Sequence, residues 1–297
     1  MRWFLKRPAH FLGLHLTDEA VYWVNIQSTG ALPMIQHAGT IKSNTANAIK
    51  KALLPILSTR PKIILSIPAH KMLTKTLSVP TTQNDLDVLE QLKANSRHYF
   101  PEITEPLCFE FNALAPHEPN LPERNLQVFT VKQDEITRRI QLSKSLGLHC
   151  MAIEPDHCAL LRLIKRALGK EKTTPTFIYL IVMKFLSRLF CFHEQSLLLN
   201  QTVPTCHLTQ QFASFLQQCR LLLPASSTPS IYFSPPQSTL ENNLLSPHDN
   251  TLTPQLTDPL NTFRFENGGF CTHPNNLYQE PFQIALGLAL RGHDAQP

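Results

Sequence analysis

The stretch Ala285-Leu-Gly-Leu-Ala-Leu-Arg-Gly292 decides the fold more than any other part of the chain. It reads as an apolar helix whose only polar residue, Arg291, comes near its end. Gly287 and Ala289 lack large side chains, which lets the helix backbone approach another layer closely. A segment this apolar must pack into a core formed by earlier parts of the chain. The sequence therefore predicts a C-terminal helix, within residues 281–297, that packs back on the core.

The length and composition of the chain indicate the number of domains and the scarcity of glycine-rich phosphate-binding loops. The 297 residues and 33.7 kDa allow two domains, and a hydrophobic fraction of 42% can fill a sizeable core. Only 9 residues are glycine, whereas 24 are proline. A chain this poor in glycine has few places where bare backbone can wrap a phosphate group.

The positive charge of the chain is mild and dispersed. The formal net charge is +5 and the isoelectric point is about 8.8. Nucleic-acid surfaces are usually denser in Lys and Arg and interleaved with aromatic residues, so no direct nucleic-acid partner is expected. The basic start of the chain, Arg2 to Arg7, still favours an interaction with the anionic inner leaflet of a membrane.

The cysteines and the apolar runs indicate a cytoplasmic protein. The seven cysteines are scattered, odd in number and without a CxxC pair, which indicates free thiols in a reducing compartment. Lys6 and Arg7 interrupt the N-terminal apolar residues, so no signal peptide is expected. The longest apolar run, Phe177 to Met183, is too short to be a transmembrane segment. We expect any location at the inner membrane to come through a partner.

The first part of the chain alternates strands with a helix. Strands are predicted over residues 11–16, 20–26, 34–41 and 62–67. A helix is predicted over 45–57 with Asn44 as its cap, because Ile49, Leu53 and Leu57 recur at helical spacing. This order predicts an α/β domain.

An inserted subdomain and a second domain follow from the later pattern. Residues about 70–147 read as an α+β unit with strands at 73–79, 107–113 and 126–131 and helices at 84–99 and 134–146. The polar stretch 169–174 marks a boundary, after which we predict a strand meander, a helix to about Leu222 and a loop over 235–259. The first domain is assigned to 1–170, with the insert inside it, and the second domain to 171–280.

Several short motifs together resemble one known family. They are Phe11-Leu-Gly-Leu-His-Leu-Thr17, Ile64-Leu-Ser-Ile-Pro68, Thr74-Lys-Thr-Leu-Ser-Val-Pro80, Tyr99-Phe100-Pro101 and Ala152-Ile-Glu-Pro-Asp156. Their order and spacing, with the C-terminal helix, resemble the PilM family of type IV pilus assembly proteins. The resemblance covers most of the chain and is best over residues 63–168.

The resemblance implies a fold, a location and partners. The fold would be α/β and actin-like (RNase H-like), with two domains that face a nucleotide cleft and an inserted α+β subdomain on the first. The function would be a cytoplasmic scaffold of a type IV pilus or DNA-uptake machine, binding the N-terminal peptide of a PilN-like inner-membrane protein. Pilus motor components and further copies of the chain are additional partners that the resemblance implies.

The first phosphate-binding hairpin of the actin-like ATPases is altered in this chain. The family pattern there is Asp-x-Gly, whereas the aligned residues are His15-Leu16-Thr17. Gly13 is kept just before them, but the acid for Mg²⁺ and the turn glycine are absent. Gly13, Thr17 and Asp18 are therefore the candidate remnants of a nucleotide loop, with a simple polar turn as the alternative.

The other two loops depart in the same direction. The second hairpin aligns with Ile181-Val182-Met183, and an isoleucine cannot ligate a metal. The glycines on the adenine side align with Ser234-Pro235-Pro236, where proline lacks the N–H of a cradling glycine. These departures favour a pseudo-ATPase that uses no cofactor, with ATP binding kept as the alternative.

The histidines, cysteines and paired carboxylates also have ordinary structural interpretations. His149-Cys150, His157-Cys158 and the Cys191/His193 pair match no zinc spacing, so no metal site is predicted. A Cys–His nucleophile has no local signature to support it. Glu154 and Asp156 could be paired carboxylates, although acids at a helix start that interact with its dipole are the simpler account.

The insert carries the candidate partner-binding residues. Leu107, Phe109 and Phe111 alternate along a strand beside the helix that ends at Tyr99. They could form the core of that subdomain. Alternatively, the insert and the first domain could leave an apolar groove for an extended peptide, which would bind through strand-edge hydrogen bonds or side-chain pockets.

Three rival functions remain open at this stage. The first is an active actin-like ATPase of the same machine. The second is a type II secretion component that resembles the cytoplasmic part of the GspL family. The third is an unrelated cysteine enzyme.

Overall fold

The structure is a computed structural model, and it describes residues 8–28, 32–113, 122–169, 175–183, 185–193, 196–224, 227–234, 254–266 and 274–295. Its strands form three sheets of six, five and three strands. Within these residues, no helix has both the length and the apolar character needed to cross a membrane.

Strands and helices alternate through the first half of the chain, as the sequence predicted. The strands are β1 (Ala9–Leu16), β2 (Val21–Ser28), β3 (Met34–Ile41), β4 (Lys62–Ile67), β5 (Met72–Pro80), β6 (Leu107–Ala113), β7 (Glu123–Lys132), β8 (Cys150–Pro155), β9 (Thr176–Val182), β10 (Leu186–His193), β11 (Ser196–Pro204), β12 (Ser230–Ser234), β13 (Pro254–Leu256) and β14 (Arg264–Phe265). The helices are α1 (Ala46–Leu57), α2 (Asp85–Ala94), α3 (Ser96–Tyr99), α4 (Gln133–Leu146), α5 (Asp156–Leu168), α6 (Leu208–Leu222) and α7 (Glu280–Asp294).

The first sheet has the strand order β14-β3-β2-β1-β4-β8. Strands β1, β2 and β3 form an antiparallel meander, whereas β1, β4 and β8 are parallel and end at the same edge of the sheet. Strand β14 pairs with Met34 and Ile35 of β3. Residues 264–265, which lie in the range assigned to the second domain, therefore belong to the first sheet.

Helices cover both faces of the first sheet because side chains alternate along its strands. Leu12 and Leu14 of β1 pack in a core with α1 and α4, and Phe11 packs in a core with α5 and α7. Helix α4 contacts α1 and buries Leu146 on this sheet. The sequence had grouped α4 with the insert, whose strands β6 and β7 it contacts, and its buried Leu146 joins the core of the first lobe.

The second sheet has the strand order β11-β10-β9-β12-β13. One face packs on α6, where Ile178 and Leu180 share a core with Phe212. Phe177 and Tyr179 on the other face join a core that contains α5, α7 and the first sheet. Helices α5 and α7 therefore lie between the two sheets and connect two lobes through one continuous core.

Small residues let α7 pack closely, as the sequence predicted. A Cβ atom at Gly287 would lie 2.0 Å from the carbonyl oxygen of Ala159 in α5, and one at Gly292 would lie 2.0 Å from the ring of Phe11. Neither position has room for a methyl group, because real Cβ atoms do not approach other heavy atoms this closely. Gly287 and Gly292 therefore allow α7 to enter the core.

The insert is a three-stranded antiparallel sheet in the order β5-β7-β6. Val88 and Leu92 of α2 pack against Leu126 and Val128 of β7 on one face. The central strand β7 is buried continuously from Leu126 to Val131, which means that both of its faces are covered. On the second face, the ring of His157 from α5 lies near Phe129, and Ser196 of β11 donates to Gln127.

Three local predictions differ from the structure. Thr45 rather than Asn44 is the N-cap of α1, because the Asn44 side chain donates instead to the carbonyl of Thr17. The single helix predicted over 84–99 breaks at Asn95, whose side chain bonds the carbonyl of Gln91 and ends α2. The predicted loop contains the short strand β13, which gains ladder hydrogen bonds from β12.

Candidate functional site

The carboxyl ends of the parallel strands β1, β4 and β8 meet at the side of the first sheet where ligands bind in many α/β proteins. His15, Ser66 and Asp156 lie there. The Nδ1 atom of His15 lies 2.8 Å from Ser66 Oγ, and the carboxylate of Asp156 accepts hydrogen bonds from the backbone N–H groups of Ala69 and His157. All the polar atoms named here are therefore already held by other protein groups.

Burial controls the charges in this cluster. Burial lowers the pKa of His15 to about 4, so the ring is neutral near pH 7. Burial by itself would lower the pKa of His157, but the neighbouring Asp156 carboxylate raises it to about 9. Burial would raise the pKa of Asp156, yet its ion pair with His157, whose Nδ1 lies 3.7 Å from Oδ1, lowers the pKa overall. The cluster therefore contains one neutral histidine and one ion pair.

The β1–β2 turn brings Thr17 and Asp18 together. Thr17 closes the turn through its N–H and hydroxyl, which both donate to the carbonyl of Ala20 at 2.9 Å. Asp18 forms an ion pair with Lys71 at 2.9 Å, and this exposed pair, led by the Lys71 bond, lowers the pKa of Asp18. Both residues border a cavity of about 430 Å³ whose far wall is α4.

Gly13 does not join Thr17 and Asp18. It lies within β1, under α7, where a Cβ atom would be 1.9 Å from the carbonyl oxygen of Ala285 and 2.8 Å from the backbone nitrogen of Ala289. The space that a side chain would need is therefore occupied by helix backbone. The structure gives this glycine a packing role.

The second hairpin, between β9 and β10, has an apolar start and an ion pair behind it. Ile181 is fully buried in the core that joins the lobes. On β10, Arg188 lies 3.1 Å from Glu280 at the start of α7, and its guanidinium also lies over the ring of Phe190. Burial, followed by the nearby Asp156 charge, raises the pKa of Glu280 to about 7, although Arg188 opposes the shift.

The third loop begins at a buried residue. Ser234 ends β12 with no exposed surface. Pro235 and Pro236, the two prolines aligned with the family glycines, lie outside the described residues.

A groove separates the insert from the first lobe. It has a volume of about 370 Å³. Phe129 and Val131 of β7 line one wall, and Ile67 and Ile153 of the first sheet line another. Two sheet edges border it, since β6 ends the insert sheet and β8 ends the first sheet. Among the described strands, none pairs with these two edges. Apolar walls beside such edges suit an extended peptide, which can add a strand and fill pockets with alternate side chains.

An ion-pair network forms the polar part of the groove. Glu154 is only 3% exposed, and its two carboxylate oxygens accept from Arg162 at 2.6 and 2.8 Å and from Arg291 at 2.5 Å. Arg162 also donates to the carbonyl of Gly287 at 2.8 Å, which ties α5 to α7. Glu154 is therefore the buried centre of this network, a role that the sequence did not reveal.

The predicted partner residues lie mostly on the other side of the insert sheet. Leu107, Phe109, Phe111 and Tyr99 pack against the insert core, and the rings of Phe100 and Phe109 are 6.0 Å apart. Of these four, Phe109 also borders the groove. These contacts agree with the alternative that the four residues form the core of the subdomain. Their contact with a partner stays a prediction.

The groove wall that sequence reasoning missed is β7 and the end of α7. The sequence signal for this wall is the stretch Leu126-Gln-Val-Phe-Thr-Val131. Its residues are buried without interruption and do not alternate between buried and exposed. Such a run indicates a strand covered on both faces. The partner on the second face could not be read from the chain, because the contribution of Arg291 comes from far along the sequence.

The cysteines and histidines form no metal centre within the described ranges, where no group of three or more His, Cys, Asp or Glu could hold an ion. Cys191 is buried in the core of the second lobe, next to Cys219. Cys108 and Cys158 line the groove as separate free thiols.

Comparison with known proteins identifies the fold. The chain is similar to the structure of a PilM-PilN type IV pilus biogenesis complex, with 17% identity over 96% of this chain and 98% of that chain and a TM-score of 0.64. It is also similar to the cytoplasmic domain of EpsL, an inner membrane component of the type II secretion system of Vibrio cholerae, with 12% identity over 95% of both chains and a TM-score of 0.52. No protein-family model and no curated protein matches the chain. The predicted actin-like fold and the resemblance to PilM structures are confirmed.

Proposed function

We propose that this actin-like protein is a cytoplasmic scaffold that binds the N-terminal peptide of a PilN-like inner-membrane protein. The observation that carries the proposal is the groove of about 370 Å³, in which apolar walls stand between the free edges of β6 and β8. Similarity to a PilM-PilN complex over nearly the whole chain supports the choice of partner. Through that partner the protein is held at the inner membrane of a type IV pilus or DNA-uptake machine, where it meets motor components and further copies of itself.

The groove favours a peptide in extended form. A strand that adds to β8 or β6 makes main-chain hydrogen bonds with little dependence on sequence, while its alternate side chains enter the apolar walls. Phe129, Val131 and Ile153 supply those walls, and Arg291 supplies a half-exposed cation. The peptide would therefore present two or more aliphatic side chains toward the groove.

The proposal also includes the absence of ATP hydrolysis. Gly13 packs under α7, Ile181 is buried, and Arg188 pairs with Glu280 at the second hairpin. In the three aligned loops, the carboxylates that would hold Mg²⁺ and the glycines that would cradle phosphate are replaced in the sequence. We propose that the two lobes are kept for their shape.

Peptide binding tests this function directly. A fluorescently labelled N-terminal peptide of the cognate PilN-like protein is titrated with the full chain and followed by anisotropy. Cys108→Arg places a long cation in the groove from β6 and is expected to weaken binding at least tenfold, about 1.4 kcal/mol. Leu86→Arg is the matched control, since Leu86 is 73% exposed on α2, on the opposite face of the insert sheet. No binding at high micromolar concentration, or equal affinity for both variants, would contradict the proposal.

Similarity to the EpsL cytoplasmic domain supports a second candidate, a cytoplasmic component of a type II secretion system. The two candidates differ in the machine rather than in the fold. Purification of the full chain from its own cells, with identification of the bound inner-membrane protein, separates them: a PilN-like protein favours the first candidate, and secretion-system proteins favour the second.

A further inference from the structure

One long segment of the first lobe contains basic residues but no acidic ones. Residues 20–84 contain no Asp or Glu, but they contain seven Lys or Arg. This segment provides β2, β3, α1, β4 and β5. Helix α1, which covers the outer face of the first sheet, therefore presents cations to solvent without acids of its own segment beside them.

The exposed side of α1 carries both charge and aliphatic surface. Lys50 and Lys51 are exposed, and Leu54, four residues after Lys50 and thus on the same side of the helix, is 58% exposed. The buried side of this helix is formed by Ile49 and Leu53. Leu54 is therefore exposed apolar surface on a helix whose main apolar face is already buried in the core.

Helix α4 lies beside α1, and it carries an exposed aliphatic residue on its flank toward the insert, where Ile136 one turn earlier lines the groove. Ile140 is 38% exposed, and the exposed Lys144 follows it by four residues. Both helices cover the same face of the first sheet, so their solvent sides point in the same direction. We call Lys50, Lys51 and Leu54 of α1, together with Lys144 of α4, the outer basic face.

Stabilisation of helix ends accounts for only part of this charge. Lys144 lies in the last turn of α4, where a cation interacts favourably with the helix dipole. Lys50 and Lys51 do not lie in the last turn of α1. The acids of this layer, Asp134 and Glu135, lie in the first turn of α4, away from Lys144. Stabilisation of a helix end therefore does not account for the α1 lysines.

We infer that the outer basic face binds the surface of an anionic phospholipid bilayer. Lysines near such a surface each add about 1 kcal/mol of attraction. Aliphatic side chains between them can enter the boundary between headgroups and acyl chains. A single-stranded nucleic acid would instead require aromatic side chains for stacking, and the outer basic face has none. The inference is independent of the peptide groove, because the residues that line the groove include Ile136 of α4 but none of the α1 lysines.

Vesicle co-sedimentation of the full chain tests the inference. Vesicles of phosphatidylethanolamine and phosphatidylglycerol are compared with vesicles of phosphatidylcholine alone. The protein is expected to sediment with the anionic vesicles and to be released as salt screens the lysines. The double variant Lys50→Glu/Lys51→Glu is expected to bind roughly tenfold more weakly or worse. Lys93→Glu/Arg97→Glu, with the same charge change at exposed positions of the insert, should bind as the parent does.

Two further variants separate the alternatives. Lys50→Arg/Lys51→Arg keeps the charge and should keep binding, and the circular dichroism spectrum of Lys50→Glu/Lys51→Glu should match that of the parent, which excludes misfolding as the cause of its loss. Leu54→Ser should weaken binding to vesicles but leave any binding to duplex DNA unchanged. Equal binding to neutral vesicles, equal binding by both charge-reversed variants, a preference for DNA through the same lysines, or no sedimentation at all would overturn the inference.

Discussion

Gly13 and Ala285 touch through bare backbone: a Cβ atom on Gly13 would lie 1.9 Å from the carbonyl oxygen of Ala285. Gly13 is in the first strand and Ala285 is in the last helix, so this contact joins the two ends of the described chain. It sets the distance between the first sheet and α7, and α7 in turn contacts α5 and the second lobe. The close packing of α7 on β1 therefore depends on a position that, like Gly287 and Gly292, has room only for a hydrogen atom as side chain.

Gly13→Ala is expected to lower the free energy of unfolding by roughly 3 kcal/mol, because the added methyl group must push α7 away from β1. Urea unfolding followed by circular dichroism measures the loss. Gly147→Ala is a useful control: this glycine has open space around it but a φ of 70°, so it should lose only about 1 kcal/mol. Equal losses for the two variants would show that the close contact is not limiting.

Glu154→Gln is expected to destabilise the protein by about 3 kcal/mol. The substitution keeps the shape but removes the charge that holds Arg162, whose side chain is only 23% exposed, and a buried cation without its partner is costly. Thermal and urea unfolding should both report the change. Glu105→Gln alters an exposed pair with Lys132 and is expected to leave the midpoint nearly unchanged. A loss no larger than that of Glu105→Gln would mean that the network contributes little.

Glu280 should make stability depend on pH in the neutral range. Burial raises its pKa in the folded state to about 7, above the ordinary value of 4.5. The folded state therefore binds more protons than the unfolded state between pH 4.5 and pH 7. The stability that this extra proton binding gives the folded state is lost as pH rises from 4.5 through 7. Glu280→Gln removes the contribution, so the variant should gain in melting temperature relative to the parent between pH 5 and 8. Parallel melting curves over this range would refute the assignment.

His15 should act in the opposite direction at lower pH. Burial lowers its folded-state pKa from 6.5 to about 4, so the unfolded state binds more protons between these values and stability falls as pH drops through them. His15→Asn can keep a polar contact with Ser66 but does not titrate. The stability difference between the parent and this variant should narrow from pH 7 to pH 4, as measured by urea unfolding at each pH. A constant difference would count against a neutral buried histidine.

Mg-ATP is expected not to stabilise the protein. A ligand at one hundred times its dissociation constant adds about 2.7 kcal/mol of stability, which a thermal-shift assay detects easily. Millimolar Mg-ATP should therefore leave the melting temperature unchanged, with the PilN-like peptide as the positive control. Clear stabilisation by Mg-ATP together with phosphate release would replace the pseudo-ATPase proposal with an active ATPase.

The candidate site was only partly predictable. The β1–β2 turn with Thr17 and Asp18 followed from local turn chemistry, and the structure has it. The partner residues were chosen from the alternation of Leu107, Phe109 and Phe111, which correctly predicts a strand with one buried face. Alternation cannot say which face meets the rest of the protein, and the groove lies mostly on the opposite one.

The amino-acid sequence alone determined the longer elements of this protein and their type, but not the short strands β13 and β14. Helical spacing in α1, the apolar run of β9 and the small residues of α7 are local signals, and each predicted its element because periodicity is a property of neighbouring residues. Only the tertiary structure decided what those elements meet. That Gly13 packs under Ala285, that Glu154 holds arginines from two helices, and that β14 joins the first sheet are contacts between distant segments. Such contacts depend on how the sheets and helices stack in space, and no local pattern encodes that.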